Sequence, residues 1–282
     1  MGNFHFDQAE GLRRMLAGPK PRIFTFLSAT PEEEKGAMLV NLGASLSQNG
    51  NNVLLVDACH AARGIAAGLE GADSTTLLHL ARRECQLEDV IQRMPQGFGI
   101  AALLPASMNA ARTRPESIHG MADAFEDLTR RADIVVVDAE LGDDDSFPIA
   151  SLAASEIVVQ VSTDPQSITS AYSLIKRVSS HLGQRPFSVL VTGASDKEAQ
   201  VVYRNMAQAA KRYLAVKLNS MGSVPEDEHL TRAARLGRAV VEAFPLAGAS
   251  VAFRRVAERF ALSEDAGGEP KGMAPQHAEF GM

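Results

Sequence analysis

Two interleaved patterns predict an α/β fold, a doubly wound, largely parallel sheet flanked by helices. The first is a series of short apolar runs: Ile23 to Leu27, Val53 to Val56, Ile100 to Leu104, Ile134 to Val137, Ile157 to Val161, Phe187 to Val191 and Leu218 to Val224. Most lack polar alternation and read as strands buried on both faces. The second is the spacing of apolar residues by three and four in the segments between those runs, which marks helices. Strands alternating with helices build parallel sheets, and such sheets bind ligands at the carboxyl ends of their strands. The loops after Leu27, Val56 and Val137 are therefore where chemistry is expected.

Taken in order, residues 1–21 form an appended arm. Asp7 caps a short helix running to Leu16, in which Ala9, Leu12, Met15 and Leu16 make an apolar stripe flanked by Arg13 and Arg14. Gly18-Pro19-Lys20-Pro21 then stops it. The body spans 22–262, with helices expected at Gly36–Gln48, Glu116–Arg131, Ile168–His181, Ala199–Tyr213 and His229–Gly237. A last helix, Ser250–Leu262, aligns Phe253, Val256 and Phe260 with Ala249 before it and places Arg254, Arg255 and Arg259 elsewhere. It reads as the closing helix of the domain, because the sequence after it is neither basic nor aromatic as a membrane-surface segment would be. From Ser263 the chain turns to Glu, Asp, Gly and Pro, and 263–282 is expected to be a disordered tail.

Composition narrows the function classes. At 45% apolar and 22% charged, 282 residues bury a sizeable core, and a net charge of -6 supplies no global field for nucleic acid or an anionic membrane. Cys59 and Cys85 are too few for a disulfide framework, and the start Met-Gly-Asn-Phe-His-Phe lacks the form of a signal peptide. A cytoplasmic protein is expected, its membrane association peripheral at most, since no apolar run approaches the ~20 residues needed to span a bilayer. His79, His119 and His181 sit alone in helical patterns with no nucleophile at a useful spacing. Cys59 beside His60 does not make a metal pair and reads as a free thiol, while Asp143-Asp144-Asp145 reads as a solvated loop.

Strand Ile23–Leu27 is followed by Ser28-Ala29-Thr30-Pro31-Glu32-Glu33-Glu34-Lys35-Gly36 and a helix, and two later strands end in Asp57 and Asp138, with Gly142 four residues beyond the second. Strand, tight loop, lysine and helix form the P-loop layout. Together these segments resemble the MinD/ParA class of P-loop ATPases, whose loop runs Ser-Gly-Lys-Gly-Gly-x-Gly-Lys-Thr. The resemblance implies ATP hydrolysis and assigns Lys35, Gly36, Asp57, Asp138 and Gly142 to the nucleotide site. The loop departs from that pattern at nearly every other position. The class's first lysine is Thr30, its magnesium-holding hydroxyl is Gly36, and the glycines whose N–H groups cradle phosphate are Ala29, Pro31, Glu32 and Glu34. Its water-orienting Asp is Cys59, and its base-contacting Asn is Thr192. A carboxylate ~4 Å from a phosphate costs on the order of 4 kcal/mol at an effective dielectric of about 20. The same three glutamates favourably face the positive end of the helix dipole. The site reads as vestigial, with no catalytic residue and no cofactor, or ATP and magnesium if the loop works after all.

Asp7-Gln8-Ala9-Glu10-Gly11-Leu12-Arg13-Arg14 is similar to the Asp-Gln-Ala-x-x-Leu-Arg arm of the FlhG/FleN flagellar-number regulators within that class. Segments 167–176 and 205–214 and the turn Met221-Gly222-Ser223-Val224-Pro225-Glu226-Asp227 extend the resemblance over about Asp7 to Phe260. It implies that Asp7, Gln8, Ala9, Leu12 and Arg13 bind an FlhF-like GTPase, and that a flagellar transcription activator or switch-complex component is a further partner, at the cell pole, with no direct nucleic-acid contact. Three readings stay open: a regulatory scaffold, an ATP-dependent dimerising switch, and a non-flagellar positioning protein. The arm itself either docks on a partner or folds back on its own domain.

Overall fold

The computed structural model describes residues 20–59, 64–66, 75–105 and 115–262. The arm, with Asp7, Gln8, Ala9, Leu12 and Arg13, and the tail from Ser263 lie outside the described residues. Eight strands occur among them: β1 (Arg22–Ser28), β2 (Val53–Ala58), β3 (Gln92–Arg93), β4 (Gly99–Ala102), β5 (Ile134–Ala139), β6 (Glu156–Val161), β7 (Phe187–Thr192) and β8 (Leu218–Val224). They form one sheet in the order β3-β4-β2-β5-β1-β6-β7-β8. Every pairing is parallel except that of β3 with β4. The doubly wound α/β fold expected from the alternation of patterns is the one observed.

The helices are α1 (Glu32–Gln48), α2 (Leu77–Ala81), α3 (Leu87–Val90), α4 (Pro115–Thr129), α5 (Pro165–Leu182), α6 (Asp196–Tyr213), α7 (Glu228–Arg235), α8 (Val240–Ala243) and α9 (Gly248–Leu262). Helices α2, α3 and α8 and strand β3 were not legible in the sequence, because two to five residues are too few to display a period. The parallel strands distribute alternate side chains to two cores. Phe24, Phe26, Leu55 and Val136 pack with α1, α8 and α9 on one face. Val56, Val137, Val159 and Val189 pack with α2, α4, α5 and α6 on the other.

Helix α1 lies close to the sheet because Gly43 carries no side chain. A Cβ there would come within 3.2 Å of both Leu55 and Phe98. Two residues nearer its start, buried Asn41 donates to the Ala37 carbonyl at 2.7 Å and accepts the Val240 N–H at 2.7 Å. That side chain supplies a partner for an amide at the opening of α8, which has no acceptor within its own helix. Phe260 of α9 closes the same face, its ring centroid 4.4 Å from that of Phe24. Asn41→Ala leaves the buried Val240 amide unsatisfied and is expected to cost about 1–3 kcal/mol. Urea denaturation with an unchanged m-value checks this; a midpoint equal to wild type would refute the capping role.

Candidate functional site

The parallel register of β2 and β5 sets Asp57 beside Asp138 at the carboxyl ends of two neighbouring strands, and β1 pairs Phe26 with the same Asp138. From β1 the chain needs only Ala29, Thr30 and Pro31 to reach α1, which begins at Glu32 rather than at the expected Gly36. Local chemistry explains the earlier start. Pro31, at φ -54, is preset for entry into a helix, and Glu32, Glu33 and Glu34 fill the first turn, where carboxylates favour the dipole. The Lys35 amide donates to the Pro31 carbonyl at 3.0 Å, so the segment that glycines leave as an open loop in the class is here a closed helical turn. Two amides ahead of the helix are engaged too: Ala29 donates to the Gln160 carbonyl at 3.0 Å and Thr30 to the Ser28 hydroxyl at 3.0 Å.

Lys35, read from the sequence as the phosphate-reaching lysine, is 4% exposed, and its Nζ stands 3.0 Å from Asp138 Oδ1, as an ion pair, and 3.3 Å from Cys59 Sγ. Asp138 is fully buried, and its other oxygen accepts the Ile65 N–H at 3.2 Å. Asp57 accepts the N–H groups of Cys59 at 3.0 Å and Ala66 at 2.8 Å. One ligand atom each from Asp57, Cys59 and Asp138 falls within 4.8 Å of the others, and the Lys35 ammonium supplies positive charge to that group. Cys59, which the resemblance set at the position of the class's water-orienting Asp, joins the cluster through its contact with Lys35. Its signal was its position two residues after a strand-end aspartate.

Burial dominates the electrostatics of this cluster. It works to lower the Lys35 pKa, but the Asp138 carboxylate, with Cys59 adding, reverses the effect and holds the ammonium above its ordinary value. Burial pushes the Cys59 thiol far up, with Asp138 reinforcing it, so the group is a neutral donor and not a nucleophile. Burial also raises Asp138, against the opposing pull of Lys35. It lifts Asp57 to about 6, against the two backbone N–H groups that favour its charged form.

The other residues expected at the site lie around this core. Gly36 is inside α1, with open space where a Cβ would project. Gly142 turns the loop after β5, donating to the Ser146 carbonyl at 2.9 Å and accepting from Arg177 at 3.1 Å. In the acidic run that follows, Asp144 accepts from both the N–H and the hydroxyl of Ser146, and Asp145 pairs with Arg177. Thr192 ends β7 and accepts from the buried Gln160 amide at 3.3 Å. Beside the first turns of α1 a cleft of about 890 Å³ opens, bounded by the ends of β7 and β8 and by α7.

Removing the Lys35 cation strands a buried carboxylate. Lys35→Met is expected to destabilise the fold by about 3–5 kcal/mol, and adding Asp138→Asn to recover much of that; equal denaturation midpoints for the single and double variants would refute the pairing. Asp57 has a folded pKa near 6, above its ordinary 3.8. Its contribution is fully present below about pH 4 and is lost as pH rises through about 6, a loss of about 3 kcal/mol. Asp57→Asn is therefore expected to gain in melting temperature over wild type at about pH 7.5 and to match it near pH 4. A difference that does not change between those pH values would contradict the assignment.

No protein-family model matches the chain. It is 33% identical over 221 residues to the antiactivator FleN of Pseudomonas aeruginosa, covering 78% of this chain and 79% of that protein. To the flagellum site-determining protein YlxH of Helicobacter pylori it is 27% identical over 206 residues, covering 71% of this chain and 68% of the other. Among solved structures, a chain of the MinC:MinD cell division protein complex of Aquifex aeolicus superposes with a TM-score of 0.63 at 20% identity, over 85% of this chain and 95% of that one. The septum site-determining protein MinD complexed with Mg-ADP from Pyrococcus horikoshii gives 0.59 at 17% identity, over 88% and 98%. At those identities the structures speak for the fold alone. The similarity to FleN, sustained over most of both sequences, decides the family: the chain belongs to the FlhG/FleN flagellar regulators of the MinD/ParA class.

Proposed function

We propose that this family member regulates flagellar number as a scaffold, through protein contacts and without ATP turnover. The observation that carries the reading is Lys35, which is buried and spent on Asp138 at the start of a helix that begins at Glu32. A triphosphate needs a free cation and a ring of free N–H groups. Here the cation is paired, two loop amides are taken, Pro31 has none, and Glu33 and Glu34 stand where an anion would approach. Residues 28–36 therefore do not fit Mg-ATP, the cofactor the class implies, and no step in this mechanism passes through it. Lys35, Asp57, Cys59 and Asp138 instead join the ends of β2 and β5 to α1 as a structural unit.

The partners follow from the family. The relative from Pseudomonas aeruginosa is named an antiactivator, which supports a flagellar transcription activator as one target. The Asp7, Gln8, Ala9, Leu12 and Arg13 segment supports an FlhF-like GTPase as the other, its apolar stripe entering a groove and its cations steering the approach. Among the described residues no helix is long and apolar enough to cross a membrane, so contact with a membrane in this scheme is peripheral.

Isothermal titration of the full chain with Mg-ATP, together with a phosphate-release assay, is expected to give neither binding in the micromolar range nor turnover. Micromolar binding with measurable release would overturn the scaffold reading in favour of an ATP-dependent switch. Leu12→Asp and Arg13→Glu are each expected to abolish stimulation of an FlhF-like GTPase. Stimulation at the wild-type level in both variants would remove the arm from the mechanism.

A further inference from the structure

Strand β8 ends the described sheet, and a polar cleft of about 520 Å³ lies across that open edge, between α6 and α9. Gln200 and Tyr203 of α6, Ser220 and Gly222 of β8, and Arg255 and Arg259 of α9 line it. The strand bulges there: Gly222 sits at φ +107, and a Cβ on it would come within 3.2 Å of the Arg259 guanidinium. Phe187 donates to the Lys217 carbonyl, so the alternate residues Leu218 and Ser220 turn theirs away from β7. Side chains already meet both, the Tyr203 hydroxyl donating to Leu218 at 2.9 Å and Arg259 to Ser220 at 3.3 Å. A further strand would find those acceptors taken. Carboxylates face no such obstacle, since each guanidinium has five N–H donors. Asp196, the one acid among the described lining residues, is already engaged, accepting from Ser223 at 2.7 Å and from Arg255 at 3.2 Å.

Charge is divided unevenly along the chain. Residues 196–262 carry eleven Lys and Arg against seven Asp and Glu, although the whole chain stands at -6. Residues 263–282 carry one lysine against four acids, and three of those acids, Glu264, Asp265 and Glu269, precede the lysine, Lys271. Position singles out this acidic stretch as the occupant. Helix α9 ends at Leu262, three residues past Arg259, which itself touches β8. The seven residues from Leu262 to Glu269 span up to about 23 Å, twice the roughly 10 Å of helix that leads back to Arg255. Glu264 and Asp265 also follow the negative end of the α9 dipole, which leaves the arginines as their favourable partners. A tethered segment acts at an effective concentration of order mM, which an acidic segment of another molecule has to exceed.

We propose that the stretch from Glu264 to Glu269 folds back over the end of α9 and docks in the cleft on the β8 edge, its carboxylates on Arg255 and Arg259. The contact is an internal cover. It takes up the cations that an acidic segment of another protein would otherwise meet, so a partner of that kind must first displace the tail. None of Lys35, Asp57, Cys59 and Asp138 lines this cleft, so the docking holds whether or not nucleotide binds.

Cleavage after Lys271 by a lysine-specific protease tests this on the full chain, with mass spectrometry scoring loss of the last eleven residues. Circular dichroism verifies the fold of each variant. Arg255→Glu with Arg259→Glu, and separately Glu264→Arg with Asp265→Arg, are each expected to speed cleavage by about threefold or more at low salt, where exposed ion pairs count most. The four changes combined are expected to return the rate to that of wild type. Glu264 and Asp265 stand seven and six residues before Lys271, beyond the stretch a protease grips, and their reversal leaves α9 untouched should the arginine variant disturb that helix. A rate that the Glu264 and Asp265 reversal leaves unchanged, or a combined variant cleaved as fast as that reversal alone, would overturn the proposal. So would protection that disappears on dilution, an outcome that gives the cleft to the tail of a second copy.

Discussion

The ion pair between Lys35 and Asp138 sets the terms for everything around it, since neither charge has access to water. Burying a lone charge costs several kcal/mol after relaxation, so each partner is tolerable only with the other in place. The pair binds the first turn of α1 to the end of β5, the strand between β1 and β2 in the sheet. Asp57 and Cys59 at the end of β2 then close around it, with Asp57 held by the Cys59 and Ala66 amides. What would otherwise be a mobile loop beside a cofactor is part of the interior.

The acidic start of α1 serves two ends. Glu32, Glu33 and Glu34 stabilise a helix N-terminus, each by some tenths of a kcal/mol, and let the helix begin a full turn before the position that spacing suggested. The same charges turn a position that attracts anions in most proteins into one that opposes them. A helix N-terminus cradles phosphate only when its amides are free and its neighbours neutral or positive, and here the side chains contradict the backbone. The cleft beside it inherits that sign and is apolar below an acidic rim.

These features put weight on protein contacts. The sheet supplies a rigid frame with two packed faces, and the family relationship ties the frame to flagellar regulation. Regulation by a scaffold depends on which surfaces are offered and when.

Sequence by itself determined the fold class, because seven apolar runs separated by helical spacing have few other ways to hide their side chains, and each of the seven overlaps a strand of the sheet, Ile100 to Leu104 running two residues past the end of β4. It also picked out Lys35, Asp57 and Asp138, since a lysine at a helix start and aspartates at strand ends are visible in linear order. What it did not contain was the pairing of those three. The neighbourhood of β2 and β5 joins residues some eighty positions apart, and no local pattern encodes which strands lie side by side. The helix start was misjudged for a related reason: a loop was expected by analogy, while proline and three glutamates favoured a turn that packing against β5 made permanent. Cys59, Gln160 and Asn41 gained their places only through contacts across the sheet. Tertiary structure decided that the lysine faces inward, because only a buried carboxylate on another strand makes burial of that charge affordable.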